Sequence, residues 1–261
     1  MKDADEILKW MNKDQKINYD RVLQKLIKSW QDNNERPKIL MHTCCAPCST
    51  FTLEYLCDIA DVTVYYYNNN IQPRNEWERR RIVLRNFVHD FNEKTGNEVQ
   101  IIETEYQPST YLKEVTELRD EPEGGLRCNV CYNIRLTSAA LYAKEHGYDY
   151  FGTALTISPH KNSQTINEIG IDIQHLYNTK WLPSDFKKNN GFYRSTEMCE
   201  EYNIYRQSYC GCLFAARKMD NLDLKQISRE ADRFVKLNSD SESNFNLVEF
   251  NFQHKEEPVS E

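Results

Sequence analysis

The sequence contains no apolar run of the roughly 18–20 residues that a membrane-spanning helix requires. Its first ten residues, MKDADEILKW, are too charged for a secretory signal peptide. These absences predict a cytoplasmic protein with reduced thiols and no membrane partner. An excess of positive charge is also lacking: the formal net charge is −7, so composition alone does not indicate a nucleic-acid-binding protein, although local patches matter more than the total.

Nine cysteines are present, and an odd number makes a poor disulfide framework in a reducing compartment. The cysteines that cluster therefore predict metal ligation or redox chemistry. Cys57 and Cys199 stand apart from the clusters and are interpreted as incidental.

Short apolar runs alternate with amphipathic segments along the chain, which predicts parallel strands joined by helices. Strands are predicted at 38–42, 62–67, 99–103 and 148–154, and helices at 51–56, 76–94, 131–146 and 164–171. Ser49 or Thr50 is the predicted N-cap of the first of these helices. The predicted fold class is α/β, a mostly parallel sheet with helices on both faces.

Three regions are expected along the chain. Residues 1–36 form an N-terminal helical extension, with apolar residues such as Trp10 and Met11 at helical spacing. Residues 37–219 form the catalytic α/β domain, which ends in a loop-rich region. Residues 220–261 form a C-terminal helix and an acidic, mobile tail, in which the run NLVEFNF is a candidate edge strand.

Three thiols lie within five positions, Cys44-Cys45-Ala46-Pro47-Cys48, where the first predicted strand ends. Ligands of open α/β sheets bind at this carboxyl edge, and phosphate-binding loops there carry glycines. This loop has none, so it is predicted to serve metal or redox chemistry. Because adjacent strand residues face opposite ways, Cys44 and Cys45 can meet at one centre only if the strand has ended, which Pro47 favours. The plainer interpretation, small core residues, is improbable for three cysteines.

A second cluster, Cys128-Asn129-Val130-Cys131, begins a predicted helix. A helix N-terminus favours ionised thiols and suits a metal or dithiol exchange. With Cys44 and Cys45 this motif supplies four thiolates, the usual ligands of a [4Fe–4S] cluster. Structural zinc is the alternative.

A third cluster, Cys210-Gly211-Cys212, can close only a small and strained disulfide ring. Such a bond is a poor structural link and a good redox pair, because strain makes it easily reduced. Two further metal ligands are the alternative interpretation.

These clusters together resemble the QueH-type epoxyqueuosine reductases of bacteria. The matching segments are 42–48, 127–132, 152–161, 190–195, 205–207 and 209–212, and the likeness covers about 37–218. The resemblance implies reduction of epoxyqueuosine to queuosine at the wobble position of tRNA, the last step of queuosine biosynthesis. It also implies an adenine nucleotide α-hydrolase-like, Rossmann-like fold that has lost its nucleotide loop.

The resemblance further implies that Cys44, Cys45, Cys128 and Cys131 hold a [4Fe–4S] cluster. It implies that Cys210 and Cys212 are the redox-active pair. Some members have Asp where Cys48 stands, beside a second metal, a mononuclear iron. Cys48 is a candidate ligand of this second metal. Alternatively, Cys45, Cys210 and Cys212 are divided differently between the cluster and the second metal.

Removing an epoxide oxygen takes two electrons and two protons. A dithiol supplies both electrons together, whereas a cluster supplies one electron at a time. His160, Lys161 and Tyr209 are the candidate proton donors. The expected partners are a tRNA anticodon loop and an electron donor that the sequence does not identify. Candidate RNA contacts combine cations with a ring that can stack on bases: Arg79, Arg80, Lys187, Lys188, Tyr193, Arg194 and Arg206. For the arginine run, a solvated helix face is the plainer interpretation.

No D-x-H-x-x-G pattern surrounds any of the six histidines, so cobalamin is not expected. Two other classes stay open. An iron–sulfur tRNA-thiolating enzyme of the same fold would activate its substrate with ATP and would need a Ser-Gly-Gly-type phosphate loop, which the sequence lacks. A zinc-stabilised, non-enzymatic RNA-binding protein is the second alternative.

Overall fold

The computed structural model describes residues 1–9 and 16–238, and a four-stranded parallel sheet lies at its centre. The strands are β1 (Lys38–His42), β2 (Asp61–Tyr66), β3 (Gln100–Glu103) and β4 (Tyr150–Thr153). Their order across the sheet is β3-β2-β1-β4. β1 lies between β2 and β4 and pairs in parallel with both, so the chain reverses its direction of strand addition beside β1, the place where open α/β sheets bind ligands.

Ten helices accompany the sheet within the described residues: α1 (Ala4–Leu8), α2 (Tyr19–Asp32), α3 (Ala46–Leu56), α4 (Arg74–Thr95), α5 (Pro108–Val115), α6 (Leu126–Glu145), α7 (Ser163–Tyr177), α8 (Gly191–Glu201), α9 (Leu213–Ala216) and α10 (Leu224–Asn238). Two 3₁₀ turns span Thr116–Leu118 and Ala154–Ile157. None of the helices in this part of the chain is long and apolar enough to cross a membrane.

Successive residues of β1 enter two different cores, as expected when helices cover both faces of a parallel sheet. Ile39 and Met41 pack in the core that contains residues of α2, α3 and α4. Leu40 packs in the core that contains residues of α6 and α7. The predicted α/β class with helices on both faces is therefore confirmed. The narrower placement among adenine nucleotide α-hydrolase-like domains stays a prediction.

The N-terminal region packs closely on the sheet. Leu26 and Trp30 of α2 are buried, and Trp30 Nε1 donates to the Tyr150 hydroxyl at 3.2 Å. The division of the chain at residues 36 and 219 stays a prediction. Trp10 and Met11, the tail after residue 238 and the candidate edge strand NLVEFNF lie outside the described residues.

The start of α3 differs from the prediction. The helix begins at Ala46, with Cys45 as its N-cap and proline in the first turn, where the fixed φ of proline suits a helix. Ser49 and Thr50 lie inside the helix, and their hydroxyls donate to the carbonyls of Ala46 at 2.8 Å and Pro47 at 3.1 Å. The prediction that Ser49 or Thr50 caps the helix is wrong.

Candidate metal and redox site

The first three cysteines meet at the carboxyl end of β1. The strand ends at His42 and α3 begins at Ala46, so Cys44 and Cys45 lie in the connection and Cys48 lies in the first turn of the helix. Their Sγ atoms are 3.5 Å apart for Cys44–Cys45, 3.4 Å for Cys44–Cys48 and 3.3 Å for Cys45–Cys48. This triad is a group that could hold a metal ion.

The spacing of the triad fits one metal ion. In a tetrahedral thiolate site with metal–sulfur bonds of about 2.3 Å, neighbouring sulfurs lie about 3.8 Å apart, which is slightly more than in the triad. In a [4Fe–4S] cluster each cysteine binds a different iron, so the sulfurs must lie farther apart than around a single ion. The triad is thus compatible with metal binding, and a four-iron cluster would need additional thiols from outside it.

The three thiols of the triad cannot all ionise at such short distances without a cation among them. Contacts with Cys45 and Cys48 lower the pKa of Cys44 well below its ordinary value. The contact with Cys44 raises the pKa of Cys45 to about 12, and contacts with both neighbours raise the pKa of Cys48. Cys44 is therefore the thiol of the triad that ionises most readily, and a bound metal ion would replace the protons of the other two. Gln207 Nε2 also donates to Cys45 Sγ at 3.0 Å.

The second cysteine cluster lies in the first turns of α6, which begins at Leu126, earlier than predicted. The Gly124 amide donates to Cys128 Sγ at 3.2 Å. Burial raises the pKa of Cys128 and raises the pKa of Cys131 to about 11. The expectation that the helix start favours ionised thiols is therefore wrong for the free side chains, because burial, the largest influence on both, disfavours the charged form.

Cys128 and Cys131 face different neighbours. Cys128 packs against the apolar cluster that includes Cys44 and Cys45, whereas Cys131 packs in a cluster with Cys212. Among the described residues, neither joins a sulfur group as tight as the triad. The second cluster thus lies between the triad and the third cluster.

A buried arginine stands behind these sulfurs. Arg135 is 4% exposed, and its Nη1 lies 3.9 Å from Cys131 Sγ. Its Nε donates to His42 Nε2 at 3.1 Å, and its Nη2 donates to Asn68 Oδ1 at 2.7 Å. Within residues 1–9 and 16–238 it forms no ion pair with a carboxylate. A buried cation without a carboxylate requires another source of negative charge, and Cys44, the neighbouring thiol whose pKa is lowered, provides it.

His42 is neutral in this arrangement. Burial and the neighbouring Arg135 lower the pKa of His42 to about 3. Its Nδ1 lies 2.9 Å from Thr153 Oγ1, and its Nε2 lies 3.2 Å from the Tyr67 carbonyl oxygen as well as beside Arg135. Asn68 Nδ2 in turn donates to the Thr43 carbonyl at 2.8 Å. These contacts join the ends of β1, β2 and β4 to α6 and fix the backbone that carries Cys44.

The third cluster forms a loop that is held from two sides. Gly211 has φ 109°, a conformation that favours glycine, and its carbonyl accepts from the Gln72 amide at 2.9 Å. On the other side, Arg80 Nη1 donates to the Cys210 carbonyl at 3.1 Å. The Tyr111 hydroxyl lies 3.3 Å from Cys212 Sγ. Burial raises the pKa of Cys210 to about 12.

The three candidate proton donors occupy different positions. The Lys161 ammonium lies within electrostatic range of Cys210, Cys44 and Cys48; burial lowers its pKa, but these thiols raise it above the ordinary value. Among the described residues it has no hydrogen-bond or ion-pair partner. His160 is exposed and lines a pocket with Cys48. Tyr209 is buried, and its hydroxyl already donates to the Gln72 carbonyl.

The candidate RNA contacts divide into three groups. Arg79 and Arg80 are buried and both pair with Glu76, so their side chains do not face solvent and are not available to contact RNA. Lys187 pairs with Asp185, and Arg194 pairs with Glu54, Glu197 and Glu201. Lys188, Tyr193 and Arg206 are exposed.

One member of the exposed group, Arg206, lines the pocket that contains Cys48. His160, Phe192, Arg206 and Gln207 contribute to its lining. Phe192 is 38% exposed and the adjacent Tyr193 is 66% exposed. Aromatic rings and cations at the mouth of a pocket that reaches a thiol are suited to a nucleic-acid base and its phosphates.

Sequence reasoning missed Arg135, Tyr111 and the internal role of Arg80. Arg135 follows Cys131 by one helical turn, so the i, i+4 spacing could have placed it on the same face. Arg80 follows Glu76 at the same spacing, which is a signal for a pair but not for burial. Tyr111 has no local signal, because it is remote in sequence from every cysteine.

Two kinds of comparison relate this chain to known proteins. The family model described as "Epoxyqueuosine reductase QueH" matches residues 39–218. A curated relative from Streptococcus pyogenes, with the same description, is 56% identical over 256 residues, 98% of this chain and 100% of the relative. A curated relative from Staphylococcus epidermidis is 56% identical over 237 residues, 90% of this chain and 99% of the relative. A more distant one from Thermotoga maritima is 32% identical over 180 residues, 68% of this chain and 89% of the relative.

Proposed function

Because this chain belongs to the epoxyqueuosine reductase QueH family, we propose that it reduces epoxyqueuosine to queuosine at the wobble position of a tRNA anticodon, the last step of queuosine biosynthesis. The observation that supports this most is the location of the triad at the carboxyl end of β1 with the Cys210–Cys212 loop nearby. Lys161 lies within electrostatic range of both. A tRNA substrate favours a cytoplasmic location.

The Cys210 and Cys212 thiols are proposed to supply the electron pair. Two thiols lose two electrons and two protons as they form one disulfide. The epoxide gains these, loses its oxygen as water and becomes an alkene, so atoms and electrons balance. An external electron donor, still to be identified, then returns the disulfide to two thiols.

Cys44, Cys45, Cys128 and Cys131 are proposed to hold a [4Fe–4S] cluster, with Cys48 at a second, mononuclear iron. The donor type fits these groups, because thiolates are the ligands of iron–sulfur clusters. Cys44 and Cys45, whose Sγ atoms lie 3.5 Å apart, would have to separate to bind two different irons. When bound, such metals supply single-electron transfer and Lewis-acid polarisation of an oxygen. Neither cobalamin nor ATP is part of the proposal.

Lys161 is the proposed donor of the proton to the leaving oxygen. Its ammonium group is charged and has no competing hydrogen-bond acceptor among the described residues, whereas the Tyr209 hydroxyl is already engaged with Gln72. His160 lies at the solvent side of the pocket and is proposed to return a proton to Lys161 after each turnover.

Tyr193, Lys188 and Arg206 are proposed to contact the anticodon loop, with Lys187 and Arg194 at the margin of this surface. Stacking on exposed rings and contacts to phosphates would bring the modified base to the pocket beside Cys48.

Nucleoside mass spectrometry tests the reaction. Cells that lack this gene and have no second epoxyqueuosine reductase should accumulate epoxyqueuosine in tRNA, and the wild-type gene should restore queuosine. Unchanged queuosine without epoxyqueuosine would reject the proposed reaction.

A single-turnover experiment tests the electron source. Protein that has been loaded with iron and sulfide, fully reduced and freed of reductant should convert about one equivalent of substrate and form one Cys210–Cys212 disulfide. A zinc-loaded, colourless protein with no turnover would favour the RNA-binding alternative instead.

A further inference from the structure

The arginine run of α4 contains a fully buried ion pair. Glu76 is 0% exposed and Arg80 is 1% exposed, and Arg80 Nε donates to Glu76 Oε1 at 2.7 Å. Burial lowers the pKa of Arg80, but Glu76 and Cys45 raise it above the ordinary value, so the guanidinium stays charged. Glu76 therefore fixes one edge of the guanidinium and leaves the other nitrogens free to bind elsewhere.

These remaining nitrogens bind the backbone of the third cysteine cluster. Nη1 donates to the carbonyl of Cys210 at 3.1 Å, and Nη2 donates to the carbonyl of Tyr209 at 3.1 Å. A planar guanidinium can bind two adjacent carbonyls in one fixed geometry, which an ammonium group cannot reproduce.

The opposite side of the loop is held by Gln72. Its amide donates to the Gly211 carbonyl at 2.9 Å, and its Oε1 accepts from the Leu213 amide at 3.2 Å. A Cβ on Gly211 would lie 2.8 Å from Ile71 Cγ1 and 3.2 Å from Arg80 Nη1. The loop backbone therefore has little room to move.

We propose that Arg80 is a positioning residue for the reductase, which holds the Cys210-Gly211-Cys212 backbone so that both thiols stay beside Cys131. This inference rests on the proposed redox role of that pair. The arginine run thereby serves the thiol loop from inside the protein, whereas the sequence suggested an RNA contact.

Replacement of Arg80 by lysine tests the proposal, because Arg80→Lys keeps the charge and loses the two-carbonyl geometry. In the reduced, iron-loaded protein, we expect the alkylation rates of Cys210 and Cys212 to rise at least tenfold, measured by peptide mass spectrometry. We expect kcat to fall at least tenfold, with unchanged KM for tRNA and unchanged iron content. Arg85→Lys is the matched control, because Arg85 is a buried arginine of the same helix that pairs with Glu103; it should leave these values at wild-type levels.

The alkylation of Cys199, which is 3% exposed on α8, serves as an internal control for global loosening. If Arg80→Lys does not fold, Glu76→Gln is the second variant. Glu76→Gln weakens the ion pair that orients Arg80 but keeps the guanidinium. We then expect a smaller rise in alkylation rate, confined to Cys210 and Cys212. An equal rise at Cys199 would overturn the positioning role.

Arg80→Lys protein with wild-type alkylation rates and kcat but a raised KM would also overturn the inference and make Arg80 an RNA contact. Failure of the proposed redox role has a different signature. In that case the wild-type protein forms no Cys210–Cys212 disulfide in glutathione buffers of any potential, while the alkylation rates still report whether Arg80 positions the loop.

Discussion

Removal of the buried charge of Arg135 should lower the reduction potential of the proposed iron–sulfur centre. Arg135 Nη1 lies 3.9 Å from Cys131 Sγ. At an effective dielectric constant of about 20, unit charges at this distance interact by roughly 4 kcal/mol, equivalent to about 180 mV for one electron at 59 mV per tenfold. Because the added electron spreads over several atoms, we expect Arg135→Gln to lower the midpoint potential by about 50–150 mV.

Redox titration of the iron-loaded protein, followed by visible absorption, measures this shift. The direction is fixed, because a nearby cation stabilises the more negative, reduced state, and its loss makes reduction harder. Arg135→Lys is the control, since it retains the charge and should stay closer to the wild-type potential even though the bonds to His42 and Asn68 are disturbed. A wild-type potential in fully loaded Arg135→Gln protein would refute the electrostatic reasoning.

Four further outcomes are expected. Cys48→Ala should lower the iron content after anaerobic loading, because one of three triad ligands is lost; an unchanged iron-to-protein ratio would contradict the metal role of the triad. Cys210→Ser should keep its iron and lose multiple-turnover reduction, and full activity would exclude the redox pair. Tyr193→Ala should raise KM for the tRNA about 5- to 150-fold with little change in kcat, as the loss of one stacking contact of about 1–3 kcal/mol predicts; an unchanged KM would remove Tyr193 from the RNA surface. Gly170→Ala should destabilise the fold by about 1–3 kcal/mol, since its Cβ would lie 2.3 Å from the Trp181 ring, and an unchanged melting temperature would contradict the packing there.

The sequence predicted those features that local patterns determine. The apolar run 38–42 matches β1 residue for residue, and the break before Pro47 brings Cys44, Cys45 and Cys48 to the carboxyl edge of the sheet. These predictions succeed because strand periodicity and proline geometry act over a few neighbouring residues.

Long-range packing determined the features that the sequence did not predict. Arg79 and Arg80 lie in a charged run, and such a run does not reveal which members are buried, because the partners that cover them come from other segments. For Arg80 these partners are the backbone carbonyls of Tyr209 and Cys210. The start of α3 was missed for a local reason, since Ser49 and Thr50 resemble caps although their hydroxyls bond within the helix.

The positive charge around the sulfurs has a consequence for the lifetime of the protein in a cell. Among the described residues Arg135 and Lys161 lie beside thiols rather than carboxylates. A bound metal, which would keep those thiols ionised, would therefore also stabilise the fold. We expect a chain made during iron shortage to be less stable than the loaded chain and to be degraded sooner. The cellular level of this protein would then follow the iron supply, even if its gene were expressed at a constant rate.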